Sequence, residues 1–445
     1  MENQIMNFPT TQKNSAAIRS RYLRWVTASM LLAVFSSMGN VLFSQTPNIV
    51  ILFADDLGYG ELGCQGNPEI PTPHIDSIAA EGVQFTSGYV GYSVCGPSRA
   101  SFITGRYGQR FGFERNPQYQ PQDDQMGLPL SEKTLATTLK QVGYRSGLVG
   151  KWHLGATRKL HPLNRGFDEF YGHLGGGHAY FADLLTIQDS YSAQNEAESY
   201  RTWIMQNHQP VPPRKYLTDD FSDEAVRFIE RNHDQPFFLF LAYNAPHGPL
   251  QAPEKYLTRF AHIEDSKRRT YAAMVSAVDD GVGRVLAALE KHAVDQNTLV
   301  FFLSDNGGPT TKNASSNDPL RGDKGDPWEG GFRVPAMIRW PSKIPAGTIL
   351  NDMMSHEDWV PTLMSAAGRP TVTEELKAGV NINGRDYHNH LDGYDFLPYL
   401  TGEAQQGPRN SFYYWSDDGL LTAMRIGDWK VVFAEQRAKE FDVWR

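Results

Sequence analysis

Two acidic pairs stand out by position. "NIVILFADD" (48–56) is an apolar run that ends in Asp55 and Asp56, and "TLVFFLSDNG" (298–307) ends in Asp305 and Asn306. Two further apolar runs end in groups that hold or move protons: "YRSGLVGKWH" (144–153) in Lys151 and His153, and "FFLFLAYNAPH" (237–247) in His247. Carboxylate and amide oxygens are hard donors that suit Ca²⁺ or Mg²⁺ and not Zn²⁺. Three carboxylates brought together repel one another unless a cation sits among them. Either pair alone also reads as the cap of a following turn or helix. Two pairs, each directly after an apolar run, favour the metal.

The chain of 445 residues holds two cysteines, Cys64 and Cys95. Cys95 opens "CGPSRASFITGR" (95–106), where Pro97 suits the first turn of a helix. Cys95 then falls at a helix N-terminus, where the dipole favours an anion and lowers a thiol pKa. Arg99 follows one turn later on the same face. Lys151 and Lys324 complete a group of fixed positive charges in a chain of net charge −8, and such a group suits a tetrahedral anion. A Cys64–Cys95 bridge is the plain alternative, and the residues around Cys95 argue against it.

The elements that must bring these residues together are legible as pattern. The four apolar runs read as buried strands. Helical patterns precede three of them: "SEKTLATTLKQVG", "DFSDEAVRFIERNHD", and the spacing of Met274, Val278, Val282, Val285 and Leu289. This alternation predicts an α/β fold with a large, mostly parallel mixed sheet flanked by helices. If the four strands are parallel, their polar ends meet at one carboxyl edge, where open α/β sheets bind ligands. "SFYYWSDDG" (411–419) and "LTAMRIGDWKVVFAEQ" (421–436) read as antiparallel strands of a small C-terminal subdomain that looks incomplete at Arg445. The expected organisation is a signal peptide over 1–44, a catalytic α/β domain over 46–400 and the partial subdomain over 401–445.

Composition narrows the function classes. Apolar residues at 40% and charged residues at 21% describe a globular chain. The acidic balance argues against a nucleic-acid partner. Arg19, Arg21 and Arg24 precede "WVTASMLLAVFSSMG", a run too short for a comfortable membrane span and suited to a secretory leader. Export without a stable membrane anchor follows as the expectation, to the periplasm or medium of a bacterium.

Taken together, "CGPSRASFITGR", "GKWHLG" (150–155), "ADDLGYGELGCQG" (54–66), "APHGP" (245–249), "SDNGG" (304–308) and "KGDPWEGGFRVP" (324–335) resemble, in kind and order, the motifs of the type I sulfatases of the alkaline phosphatase superfamily. The resemblance runs from about 46 to about 436. It implies that Cys95 is oxidised to Cα-formylglycine by a maturation enzyme that reads Cys95, Pro97 and Arg99. Gly96 stands where the family often has Ser, Thr or Ala. The resemblance further implies one Ca²⁺ held by Asp55, Asp56, Asp305, Asn306 and the modified Cys95. Lys324 and His247 would hold the sulfate, and one of them would protonate the leaving oxygen. His153 would take the proton that drives elimination, and Lys151 and Arg99 would orient the formylglycine. The implied reaction is sulfate-ester hydrolysis on a sulfated carbohydrate or aryl sulfate, through a covalent sulfo-enzyme intermediate. The competing readings are a phosphonate or phosphate-ester hydrolase of the same superfamily and a non-catalytic sulfated-glycan-binding protein. His178, on the Gly-rich "NRGFDEFYGHLGGGHAYF" (164–181), is a candidate for substrate contact or for a loop packed on the core. His356 is expected to cap or pack a helix.

Overall fold

The computed structural model describes residues 46–434 apart from 383 and 417, so the leader expected over 1–44 lies outside the described residues. The main sheet contains β1 (Asn48–Ala54), β2 (Val83–Phe85), β3 (Arg145–Lys151), β4 (Glu169–His173), β5 (Ile204–Gln206), β6 (Gln209–Val211), β7 (Phe237–Ala242), β8 (Thr298–Ser304), β9 (Ala336–Arg339) and β10 (Thr348–Leu350). Their spatial order is β10-β2-β9-β8-β1-β7-β3-β4-β5-β6. The run β8-β1-β7-β3-β4 is parallel throughout, while β9 pairs antiparallel with β8 and β5 pairs antiparallel with β4. The four runs picked out by their polar ends are therefore adjacent parallel strands, in the order β8-β1-β7-β3.

The period of two along β1 explains why it is apolar without interruption. Ile49, Ile51 and Phe53 enter one hydrophobic cluster, and Val50, Leu52 and Ala54 enter the other. The strand is covered on both faces, as parallel central strands must be. On the first face lie α2 (Cys95–Thr104), α3 (Leu135–Lys140) and α6 (Trp359–Ala366). On the second lie α1 (Pro73–Ala80), α4 (Leu217–Asn232) and α5 (Ser266–Lys291). The α5 helix starts at Asp265, whose carboxylate accepts the Arg268 N–H at 2.7 Å, a conventional N-cap.

A small antiparallel sheet follows, with β11 (Ser411–Trp415), β12 (Leu421–Ile426) and β13 (Trp429–Val432). It is tied back to the main domain through Glu329. That carboxylate accepts from the hydroxyls of Tyr89 (2.8 Å) and Tyr414 (2.5 Å) and from Lys430 Nζ (2.9 Å). Glu329 lies five residues beyond Lys324, so the small sheet braces the segment that carries this lysine. Among the described residues no helix is long and apolar enough to cross a membrane.

Candidate active site

The carboxyl ends of β8, β1, β7 and β3 deliver Asp305-Asn306, Asp55-Asp56, His247, and Lys151 with His153 to one place. The α2 helix points its first residue, Cys95, at the same place, and Lys324 arrives from a loop. All but His247 of these side chains are buried below one-tenth of their surface. Arg99, one turn along α2, donates through Nε to Asp305 Oδ2 at 2.9 Å and lies 3.7 Å from Asp55 Oδ1. Lys151 Nζ is 2.7 Å from Asp55 Oδ2. Lys324 Nζ is 2.5 Å from Asp56 Oδ1 and 3.0 Å from Cys95 Sγ. His247 Nε2 lies 3.7 Å from Asp56 Oδ2, and its Nδ1–H donates to the Gly248 carbonyl at 2.6 Å. Asp56 has φ 65 and His153 φ 58, left-handed backbone that non-glycine residues adopt at a cost and that recurs at functional sites.

Charge balance sets the ionisation of each group. Burial pushes the Asp55 carboxyl up to about 8, with Asp305 adding to the rise and Lys151 and Arg99 opposing it. Burial also acts against Asp56 and Asp305. Lys324 and His247 nevertheless hold Asp56 below the usual carboxylate range, and Arg99 and Lys151 do the same for Asp305. Lys324 is buried too, yet Asp56 and Cys95 keep its ammonium well above the ordinary lysine range. Burial, then Lys151, holds His153 well below the usual imidazole value, and burial brings His247 down to about 3. The thiol departs from the expectation of a lowered pKa. Both lysines and the helix N-terminus favour its anion, but burial outweighs them and pushes Cys95 up to about 12.

The oxygens of Asp55, Asp56, Asp305 and Asn306 fit a hard cation, whereas the neighbouring sulfur and imidazole nitrogen are softer donors. One donor atom each from Asp55, Asp56, Cys95 and His247 lies within 4.8 Å of the others. Asn306 donates through Nδ2 to Asp56 Oδ1 at 2.7 Å, while its Oδ1 is buried without a hydrogen-bond partner. An orphaned buried carbonyl oxygen beside carboxylates is the arrangement a Ca²⁺ ion would satisfy. Asp305 borders the group, with Oδ1 accepting the Asp56 N–H at 3.1 Å and Oδ2 on Arg99. A divalent charge here would also oppose the burial and the Asp305 repulsion that raise the Asp55 carboxyl.

His356 lies beneath this layer. Its Nδ1 is 3.2 Å from Ser98 Oγ, which donates to the Asp305 carbonyl, and its ring packs on Phe53 and Phe102. Tyr180 supports the other side, its hydroxyl 2.7 Å from the carbonyls of both Asn244 and His247. His178 does not reach the cleft. It is fully buried, with Nδ1 2.7 Å from the Ala179 carbonyl and Nε2 2.8 Å from the Thr202 carbonyl, so its substrate-contact reading is corrected to a structural one. Cys64 and Cys95 are both free.

Asp56, Cys95, His153, His247 and Lys324 open onto a cleft of about 750 Å³. One wall is 116–120 (Asn-Pro-Gln-Tyr-Gln), another 195–200, which carries Glu196 and Tyr200. No motif marks either segment in the sequence. Gly96 explains how the first wall comes so close. Asn116 Oδ1 accepts the Gly96 N–H at 2.7 Å, and a Cβ on residue 96 would lie 2.8 Å from Pro117 Cδ. Gly96→Ser should therefore displace this wall. With conversion of residue 95 checked by peptide mass spectrometry, kcat/KM on a large substrate should fall about tenfold, a modest share of what a 1 Å misplacement can cost. An unchanged kcat/KM would mean that the wall yields freely.

Comparison with known proteins places this geometry. Residues 47–369 match the family model described as Sulfatase. An N-acetylgalactosamine-6-sulfatase of Mus musculus is 35% identical over 423 residues, covering 91% of this chain and 75% of that protein. The crystal structure of Ps i-CgsB in complex with k-i-k-neocarrahexaose is similar with a TM-score of 0.78 at 38% identity, over 88% of this chain and 85% of that one. A sulfatase from Pseudoalteromonas sp. has a TM-score of 0.72 at 29% identity, over 92% and 81%.

Proposed function

Because the chain belongs to the sulfatase family and is a sulfate-ester hydrolase, we propose that its cleft takes sulfated carbohydrate, with residue 95 as nucleophile after conversion to Cα-formylglycine and one Ca²⁺ beside it. The formylglycine hydrate supplies one hydroxyl to attack sulfur and a second through which the aldehyde re-forms, and the ion supplies charge that polarises the sulfate oxygens. The chain's own residues do the rest. Lys324 stays charged and, 3.0 Å from Cys95 Sγ, is placed to hold a sulfate oxygen. Lys151 and Arg99, fixed on Asp55 and Asp305, balance the charge of these carboxylates and orient residue 95. His153, kept neutral, is available to accept the proton that drives release. His247 Nε2, 3.7 Å from Asp56 Oδ2 and lining the cleft, is assigned the leaving oxygen. Asp55, Asp56, Asp305, Asn306 and residue 95 would hold the ion.

The observation that carries this reading is the convergence of Cys95, Lys324 and the acidic pairs at one sheet edge. Likeness to a structure in complex with k-i-k-neocarrahexaose and to an N-acetylgalactosamine-6-sulfatase supports carbohydrate as the substrate class. Sulfate release from defined sulfated mono- and disaccharides tests it, with an aryl phosphate as comparator. A higher kcat/KM on the phosphate than on every sulfate would overturn it.

Removal of divalent ions should abolish most turnover, and Ca²⁺ should restore it better than Zn²⁺. The same titration should raise Tm, because a ligand at 100 times its Kd stabilises the folded state by about 2.7 kcal/mol. Full turnover and an unchanged Tm in chelated protein would return the acidic pairs to the role of caps.

A further inference from the structure

The wall formed by 195–200 brings a further carboxylate, Glu196, into the cleft that Lys324 also lines. Glu196 opens the short helix Glu196–Ser199, whose N-cap, Asn195, accepts the Glu198 N–H at 3.0 Å. The Glu196 carboxylate is held in place. Burial raises its pKa, and the Gly176 N–H donated to Oε1 at 3.1 Å, then Lys151, the Tyr119 amide and the Ser199 hydroxyl, favour the ionised form against it. It is close to the reacting groups. A Cβ at residue 176 would lie 2.8 Å from His153 Nε2 and 2.9 Å from Glu196 Oε1, so the two atoms flank one point that Gly176 leaves open. Tyr200 lines the same wall, and Glu196 and Lys324 both act on its hydroxyl. Lys312 belongs to a different lining segment, 309–313.

A carboxylate among cations that bind sulfate serves none of the steps assigned above. Resting on the reading of the cleft as a sulfated-sugar site, we propose that Glu196 is a specificity residue that accepts a hydroxyl of the sulfated ring and rejects a ring bearing a second sulfate or a carboxylate at that place. An ionised carboxylate can only accept hydrogen bonds. A sugar hydroxyl donates to it. A second anionic substituent cannot donate, and it sets like charges against each other in a cleft partly shielded from water. The favoured substrate is thus a ring with one sulfate in the reacting position and a free hydroxyl beside it.

The test uses the full, matured enzyme and three probes: a monosulfated hexose, the same hexose with a second sulfate on the adjacent hydroxyl, and nitrophenyl sulfate. The wild type should favour the monosulfated sugar by at least about tenfold in kcat/KM, and Glu196→Leu should lose about 10–100-fold on that sugar. Glu196→Gln retains an acceptor for the Gly176 N–H but loses the charge, so the ratio of mono- to disulfated activity should collapse to within about threefold. Equal wild-type activity on both sugars would overturn the proposal. So would an unchanged ratio in Glu196→Gln, or loss of all three activities in that variant with an unaltered Tm, which would assign Glu196 to the chemistry. Failure of the sulfated-sugar reading is distinguishable, because the wild type would then release sulfate from nitrophenyl sulfate and from neither sugar.

Discussion

Cys95→Ala is expected to abolish turnover, by about 10⁶-fold, the scale on which loss of a nucleophile is measured in other hydrolases. Cys64→Ser, by contrast, should retain most activity, since Cys64 is half-buried and faces Asp76 at a distance from the cleft residues. The physical argument begins with the thiol itself. Burial pushes Cys95 up to about 12, against the thiolate form at neutral pH. An unmodified cysteine here is a poor nucleophile despite the lysine at 3.0 Å. The environment around Sγ suits an oxygen better: two carboxylates, an ammonium and the N-terminus of α2. Peptide mass spectrometry of protein from a host with the maturation enzyme should show formylglycine at residue 95. A fully reduced thiol in a fully active preparation would sink the idea. Cys95→Ser sharpens the test, because a serine can receive sulfate but lacks the second hydroxyl through which it departs. A single turnover followed by arrest is the expected result.

How much of this site could be read from the sequence depends on what kind of signal each residue carried. Asp55, Asp305, Lys151 and His247 were legible because each follows closely on a largely apolar run. Such runs become central parallel strands, and parallel strands deliver their ends to a single edge. Arg99 was legible from helical spacing alone. The walls of the cleft were not. Asn116 and Glu196 sit in irregular segments without periodicity, and their positions depend on contacts distant in sequence: Asn116 on the Gly96 amide, Glu196 on the Gly176 amide. For His178 the sequence left two readings open, a substrate contact and a loop packed on the core, and the second holds. A histidine among glycines reads as an exposed functional loop, but here the chain turns inward and both ring nitrogens meet backbone carbonyls. The Cys95 thiol misled because helix position reports only the favourable local dipole, whereas depth of burial emerges from the whole fold.

His247→Ala is expected to cost about 10²–10⁴-fold on a sugar sulfate, the range of general acid catalysis, and visibly less on nitrophenyl sulfate. The difference between the two substrates carries the assignment. A sugar alkoxide is a poor leaving group that needs a proton in the transition state, whereas nitrophenolate needs little help. The ring is well placed for the task. Its Nδ1–H is committed to the Gly248 carbonyl at 2.6 Å, the Tyr180 hydroxyl supports its own carbonyl at 2.7 Å, and Nε2 is left facing Asp56 and the cleft. To act as the acid, Nε2 must carry a proton, and burial, which takes the ring down to about 3, works against this while Asp56 works for it. A bound sulfate adds negative charge beside Asp56 and so favours the protonated ring further. Lys324 is the competitor, permanently charged and 3.0 Å from Cys95 Sγ. It is nearer the attacking atom than the departing one would be in an in-line displacement, so its expected contribution falls on both substrates alike. If His247→Ala lost equally on sugar and nitrophenyl sulfates, His247 would be left with sulfate binding alone, and the acid role would pass to Lys324.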